Sequence, residues 1–194
     1  MTNPAQLRKE ILTARNDLSA PARTLKSQAI ANRLLGLAEI AASSSIFIYV
    51  SFRSEVETMD LLTSLLALGK QVAVPYTHIN EKYLDAIQIT DPASQLIPGY
   101  CSIPEPTPEI RASQLISPAL IDTIILPGSV FDERGGRFGY GGGFYDRFVA
   151  QAPHARRIGL AFDLQIVPLA PIQAHDELLD LIVTESRVIR GTRA

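Results

Sequence analysis

The chain has 194 residues, of which 46% are hydrophobic and 20% charged, with a formal net charge of -2; these are the proportions of a soluble globular protein and exclude a disordered or fibrous one. The near-neutral balance offers no field to nucleic acid or anionic lipid, so any anion site must come from a local cluster of cations. The one cysteine, Cys101, cannot form an internal disulfide, the apolar run Ile46 to Val50 is far short of the ~20 residues that span a bilayer, and Met1 to Leu12 lacks a signal-peptide core, so the cytoplasm is the expected compartment.

Two helices are expected first. Leu7, Ile11, Leu12 and Leu18 form one stripe, and Leu25, Ile30, Leu34, Leu35 and Leu37 another. Ser19-Ala20-Pro21 between them supplies an N-cap and a first-turn proline, which reads as a helical hairpin. From Ile46 short β-rich runs alternate with helical patterns: a strand Ile46 to Tyr49, a helix Met59 to Leu68 stopped by Gly69, then a strand Val72 to Val74. Leu84 to Ile89 reads as a strand, and the four prolines of Pro98 to Pro108 fit a loop or edge segment. Ile121 to Leu126 reads as a buried strand, a helix begins near Phe144, and Ile158 to Ala161 and Leu181 to Thr184 are the last two strands expected. The alternation predicts one α/β domain over 1–194, in three layers, with a mostly parallel sheet flanked by helices.

Chemistry is concentrated between Leu126 and Arg147, where seven residues are glycine. A buried strand that runs into glycines and then a helix lets backbone N–H groups approach an anion, with the helix dipole behind them. Arg137 and Arg147 are the cations at hand, and Asp146 is a hard-oxygen ligand suited to a phosphate-bound magnesium. The segment is neither a Walker loop, since no lysine follows Lys82, nor a dinucleotide fingerprint, since Phe144 stands where the third glycine belongs. Ser129 lacks the flanks of a nucleophile elbow. Because glycine serves turns more often than phosphates, a plain flexible loop is the alternative reading. Glu55 likewise has two readings, a ligand or a helix-capping acid ahead of the stripe that starts at Met59. His78, His154 and His175 show no metal-ligand spacing.

The run Gly136-Arg-Phe-Gly-Tyr-Gly-Gly-Gly-Phe-Tyr-Asp146 resembles the signature of the 5-formyltetrahydrofolate cyclo-ligase family. The resemblance extends to Leu7-Arg8 with Arg15, Tyr49-Val-Ser and Glu55-Val-Glu-Thr58, Ile103-Pro-Glu-Pro106, Leu126-Pro-Gly128, and His175-Asp176 with Asp180 and Thr184-Glu185. It implies an ATP- and Mg²⁺-dependent ligase that closes 5-formyltetrahydrofolate into its 5,10-methenyl form through a phosphorylated formyl group, releasing ADP and phosphate. By that resemblance Arg8, Arg137, Phe138, Gly139, Tyr140, Gly141, Gly142, Gly143, Phe144 and Tyr145 contact ATP, with Arg137 and Tyr145 catalytic. Val50, Glu55 and Tyr140 to Phe144 border the folate, and Asp146 and Asp176 hold the metal. Glu55 would orient the pterin through its donor edge. A monomer whose partners are these small molecules, and neither nucleic acid nor membrane, is expected.

Two departures from the family pattern bear on this. Pro4 stands where a lysine is usual, and Phe144 replaces a tyrosine, keeping the ring and losing a hydroxyl. The missing lysine motivates the competing expectation, a folate- or nucleotide-binding protein of the same fold without catalysis.

Overall fold

The computed structural model describes residues 3–172 and 177–193. Helix α1 (Pro4–Asn16) is capped by Asn3, whose side chain accepts the Ala5 N–H at 2.9 Å, and Pro4 occupies its first turn, where a missing N–H costs nothing. Helix α2 (Ala20–Leu35) has the expected Ser19 cap, at 3.3 Å from the Ala22 N–H. The two arms of this pair part in what they touch: α1 lies against residues Asp163–Gln165, and α2 against a strand of the main sheet.

After the short helix α3 (Ala38–Ala42) come β1 (Ser45–Ile48), α4 (Met59–Ala67), β2 (Gln71–His78) and β3 (Tyr83–Ile89). Gly69 follows α4 with φ +73°, a left-handed value that glycine adopts without strain. Next are α5 (Pro92–Gln95), β4 (Leu96–Pro98), β5 (Pro104–Pro106), α6 (Pro108–Ser113) and β6 (Leu115–Ile116). The proline-rich segment is thus a separate two-stranded ribbon, β4 against β5, outside the main sheet. The chain continues through β7 (Thr123–Leu126), β8 (Val130–Asp132), β9 (Arg137–Phe138), α7 (Phe144–Val149), β10 (Arg156–Leu160), β11 (Ile166–Val167), β12 (Leu181–Val183) and β13 (Val188–Arg190).

The main sheet has the order β13-β12-β10-β7-β1-β2-β3-β6. From β12 to β2 every neighbouring pair is parallel; β13, β3 and β6 are antiparallel. Alternate residues of β1 feed different cores. Ile46 and Ile48 join Ile30, Leu34, Leu62 and Leu65 from α2 and α4, while Phe47 stacks on Phe148 of α7 at 4.1 Å between centroids. With both faces covered, β1 and β7 are fully buried, which is why their sequences are unbroken apolar runs rather than alternations.

From β1 the chain winds outward to β2 and β3, then returns to β7 on the other side of β1 and winds the opposite way through β10 and β12. The reversal opens a crevice at the carboxyl ends of β1 and β7, the place where open α/β sheets bind ligands. A second small sheet, β11-β8-β9, sits directly after β7. Asp132 closes the β8–β9 turn: its carboxylate accepts N–H groups of Arg134 (3.0 Å), Gly136 (2.9 Å) and Ala170 (2.9 Å) and pairs with the Arg134 guanidinium at 2.8 Å. In that turn Gly135 has φ +94°, and a side chain there would meet the Leu179 carbonyl oxygen at 2.3 Å.

Candidate functional site

The glycine-rich segment leaves β9 at the mouth of this crevice. Arg137, 8% exposed, donates to the Pro127 carbonyl at 3.2 Å and forms an ion pair with Asp146 in the first turn of α7. Its guanidinium is therefore held beneath the loop formed by Gly139 to Gly143. Gly141 and Gly143 have φ of +93° and +67°, and a side chain on Gly142 would strike the Phe144 ring at 2.7 Å. Ser129 ties the loop's entry to the end of β7, donating to the carbonyls of Phe138 (2.6 Å) and Gly139 (3.2 Å). Left-handed glycines and these bonds set the shape of the segment.

Arg147 behaves otherwise than expected. It donates to the carbonyls of Lys82 and Gly142, both at 3.1 Å, and so fastens the loop to the tip of the β2–β3 hairpin rather than facing its concave side. The helix α7 has only six residues, so its dipole is short. Tyr145, partly buried in the first turn of α7, packs against both cores, and burial raises its hydroxyl pKa well above the usual value, with the Glu55 charge adding to the effect.

Across the crevice, the segment from Val50 to Thr58 is shaped by its own hydrogen bonds. Ser51 and Thr58 bond reciprocally, N–H to hydroxyl at 2.9 and 3.2 Å, and the Tyr49 hydroxyl donates to the Val56 carbonyl at 3.0 Å. Val50 is 4% exposed at the end of β1. Glu55 is 7% exposed, so the capping alternative fails: its Oε2 accepts the Phe52 N–H at 2.9 Å and its Oε1 accepts the Tyr140 hydroxyl at 2.7 Å. Burial raises the Glu55 pKa, and the bonds from Tyr140 and Phe52 and the Arg15 charge oppose that rise. Tyr140 therefore belongs to the glycine loop and touches the second segment at the same time.

Helix α1 contributes two arginines to this mouth. Arg8 lies with its guanidinium 4.1 Å over the Phe138 ring and faces Gly141, and its buried Nε has no hydrogen-bond partner among the described residues. Arg15, two turns further along the same face, is 3% exposed and donates to Ser54 Oγ (3.0 Å), to the Gly128 carbonyl (3.3 Å) and to the Tyr140 hydroxyl (2.8 Å). Sequence reasoning gave Arg15 no role; its spacing of seven from Arg8 was the available signal.

Of the two expected metal ligands, Asp146 is half exposed at the loop's end, and Asp176 lies outside the described residues, as does His175. No cluster of three or more His, Cys, Asp or Glu side chains occurs among the described residues. His78 pairs with Asp85 at 2.8 Å in the β2–β3 hairpin.

Residues 1–185 match the model of the 5-formyltetrahydrofolate cyclo-ligase family. The chain is 31% identical over 163 residues, 83% of its own length and 88% of the relative's, to the 5-formyltetrahydrofolate cyclo-ligase of Escherichia coli. It is 30% identical over 181 residues, 92% and 96% of the two chains, to that of Haemophilus influenzae. Among solved structures, the 5,10-methenyltetrahydrofolate synthetase of Aquifex aeolicus superposes with a TM-score of 0.85 at 28% identity, covering 98% of this chain and 93% of that one.

Proposed function

The chain belongs to the 5-formyltetrahydrofolate cyclo-ligase family, and from that premise we propose that it closes 5-formyltetrahydrofolate to 5,10-methenyltetrahydrofolate with ATP as co-substrate. The formyl oxygen attacks the γ-phosphorus and ADP leaves. N10 then attacks the activated formyl carbon and gives up its proton to solvent, and phosphate departs with the former formyl oxygen. No protein nucleophile is needed, so catalysis rests on holding two substrates in line and neutralising charge.

One observation supports this reading above the others. The Tyr140 hydroxyl, on the glycine loop, donates to Glu55 at 2.7 Å, so the loop assigned to phosphate and the carboxylate assigned to the pterin border one space. Arg137 sits under the loop where charge on the transferring phosphoryl group would be met by a planar cation. Arg8, with an unpartnered buried Nε and its guanidinium toward Gly141, is disposed to reach the nucleotide from α1. Phe138 and Phe144 supply ring faces, and Gly139, Gly141, Gly142 and Gly143 supply close backbone approach. Glu55 accepts from the donor edge of the pterin beside the apolar Val50. Tyr145, beside Arg137 under the loop, supports the reacting end.

Magnesium fits the residues present. Asp146 is a half-exposed hard-oxygen carboxylate in the loop, and a site with one or two protein carboxylates, completed by phosphate oxygens and water, is the set this ion favours. When bound it would offset phosphate charge, and Asp176 is the second carboxylate assigned to it.

The test is spectrophotometric: the protein with 5-formyltetrahydrofolate, MgATP and no other enzyme is expected to generate the methenyl absorbance in proportion to enzyme, and none without ATP. Absence of product at high enzyme concentration overturns the proposal, and tight folate binding without turnover would select the non-catalytic reading.

A further inference from the structure

Arg15 is the most connected buried cation near the crevice, yet it faces no open space. All three of its bonds go to protein: Ser54 beside Glu55, the Gly128 carbonyl after β7, and the Tyr140 hydroxyl on the glycine loop. The direction of these bonds carries information. A guanidinium only donates, so Tyr140 must accept from Arg15 and has one proton left to give. That proton points at Glu55 Oε1, while the Phe52 N–H points at Oε2. Both oxygens of Glu55 are thereby met by donors, an arrangement that favours the ionised carboxylate over the protonated one.

We propose that Arg15 is a positioning residue for the folate site: acting through Tyr140, it fixes the proton direction that keeps Glu55 an acceptor-only carboxylate, aligned for the donor edge of the pterin. Burial alone works against this state, and the other titratable groups facing Glu55, Tyr49 at the end of β1 and Tyr145 in α7, supply no positive charge. Arg15 is the one cation among the described residues that acts on Glu55. It also holds Ser54, so a single side chain sets both the position of the Glu55 turn and its protonation state.

The inference rests on the folate reading of Glu55, and the experiment separates the two. The titration midpoint of Glu55 is measured by carboxyl carbon NMR in the wild type, Arg15→Met, Arg15→Lys and Tyr140→Phe proteins. In parallel, the Kd for 5-formyltetrahydrofolate without ATP is measured by calorimetry. Arg15→Met and Tyr140→Phe are expected to raise the midpoint, and Arg15→Lys to keep it near wild type, since the charge is retained while the fork is lost. Folate Kd should rise ~10-fold or more in Arg15→Met, with the KM for ATP little changed. A Glu55 midpoint unmoved in Tyr140→Phe, which keeps the half-exposed ring and removes only the hydroxyl, overturns the positioning role even if Arg15→Met fails to fold. Equal losses for folate and ATP with an unmoved midpoint would mark Arg15 as structural only. A shifted midpoint in a protein that does not bind 5-formyltetrahydrofolate upholds the relay and refutes the folate reading instead.

Discussion

Single side chains at the crevice mouth differ in how much their surroundings dictate their chemistry. Arg137 is nearly enclosed, and its partners are one carbonyl and one half-exposed carboxylate, so its charge is available to any anion that displaces Asp146. Arg137→Ala is expected to lower kcat by ~10² or more with a smaller change in the KM for folate. Arg137→Lys should recover only part of the loss, because an ammonium cannot span two oxygens in a plane. Steady-state kinetics on both variants check this, and wild-type turnover in Arg137→Ala would remove the residue from the reacting centre. Arg147, by contrast, is occupied by two carbonyls. A cation flanking a glycine run suggests an anion contact in the sequence, but carbonyl acceptors from a distant hairpin leave no mark there.

At the level of elements, the β8–β9 turn decides whether the glycine loop starts in the right place. Asp132 is completely buried and gathers three backbone N–H groups and one guanidinium. Burial pushes its pKa up, but the bonds from Arg134 and from the N–H groups of Ala170, Gly136 and Arg134 outweigh that, so the folded value lies below the usual carboxylate range. The sign follows: the stabilisation is present above the unfolded pKa of ~3.9 and is lost as pH falls through the folded value. Asp132→Ala should cost ~2–4 kcal/mol at neutral pH, since it strands buried donors. The difference from wild type should shrink as the solution is acidified toward that range. Denaturant melts of both proteins across pH measure it, and a pH-independent difference would refute the assignment.

Which elements could be read in the sequence depended on their length and on how far away their partners lie. β1 and β7 announce themselves as unbroken apolar runs, and the Ser19 cap and Gly69 stop are local signals that the structure honours. The small sheet β11-β8-β9 was not legible, because its strands have only two or three residues and β11 lies more than thirty positions from β8. The same distance hides Arg15, whose partners Ser54 and Tyr140 are 39 and 125 residues away. Family resemblance named Glu55 and Tyr140, but not the bond between them.

For the whole molecule, the reversal of strand order between β1 and β7 puts two separately coded segments at one crevice, and α1 reaches both, with Arg8 on the glycine loop and Arg15 bridging that loop to the Glu55 segment. The fold thereby makes the two halves of the site depend on one helix. On the proposed assignment it would also couple the binding of nucleotide and metal. Arg137 and Asp146, assigned to phosphate and to magnesium, neutralise each other in the structure. ATP alone would claim Arg137 and bring its phosphates against a released carboxylate; magnesium alone would claim Asp146 and leave an enclosed guanidinium near a dication. Thermal stabilisation by MgATP should therefore exceed the sum of the shifts from free ATP with chelator and from Mg²⁺ alone. Simple additivity in a melting assay would contradict it. Under that assignment the Arg137–Asp146 ion pair would act as a coincidence lock, opening at little electrostatic cost only when both keys arrive together.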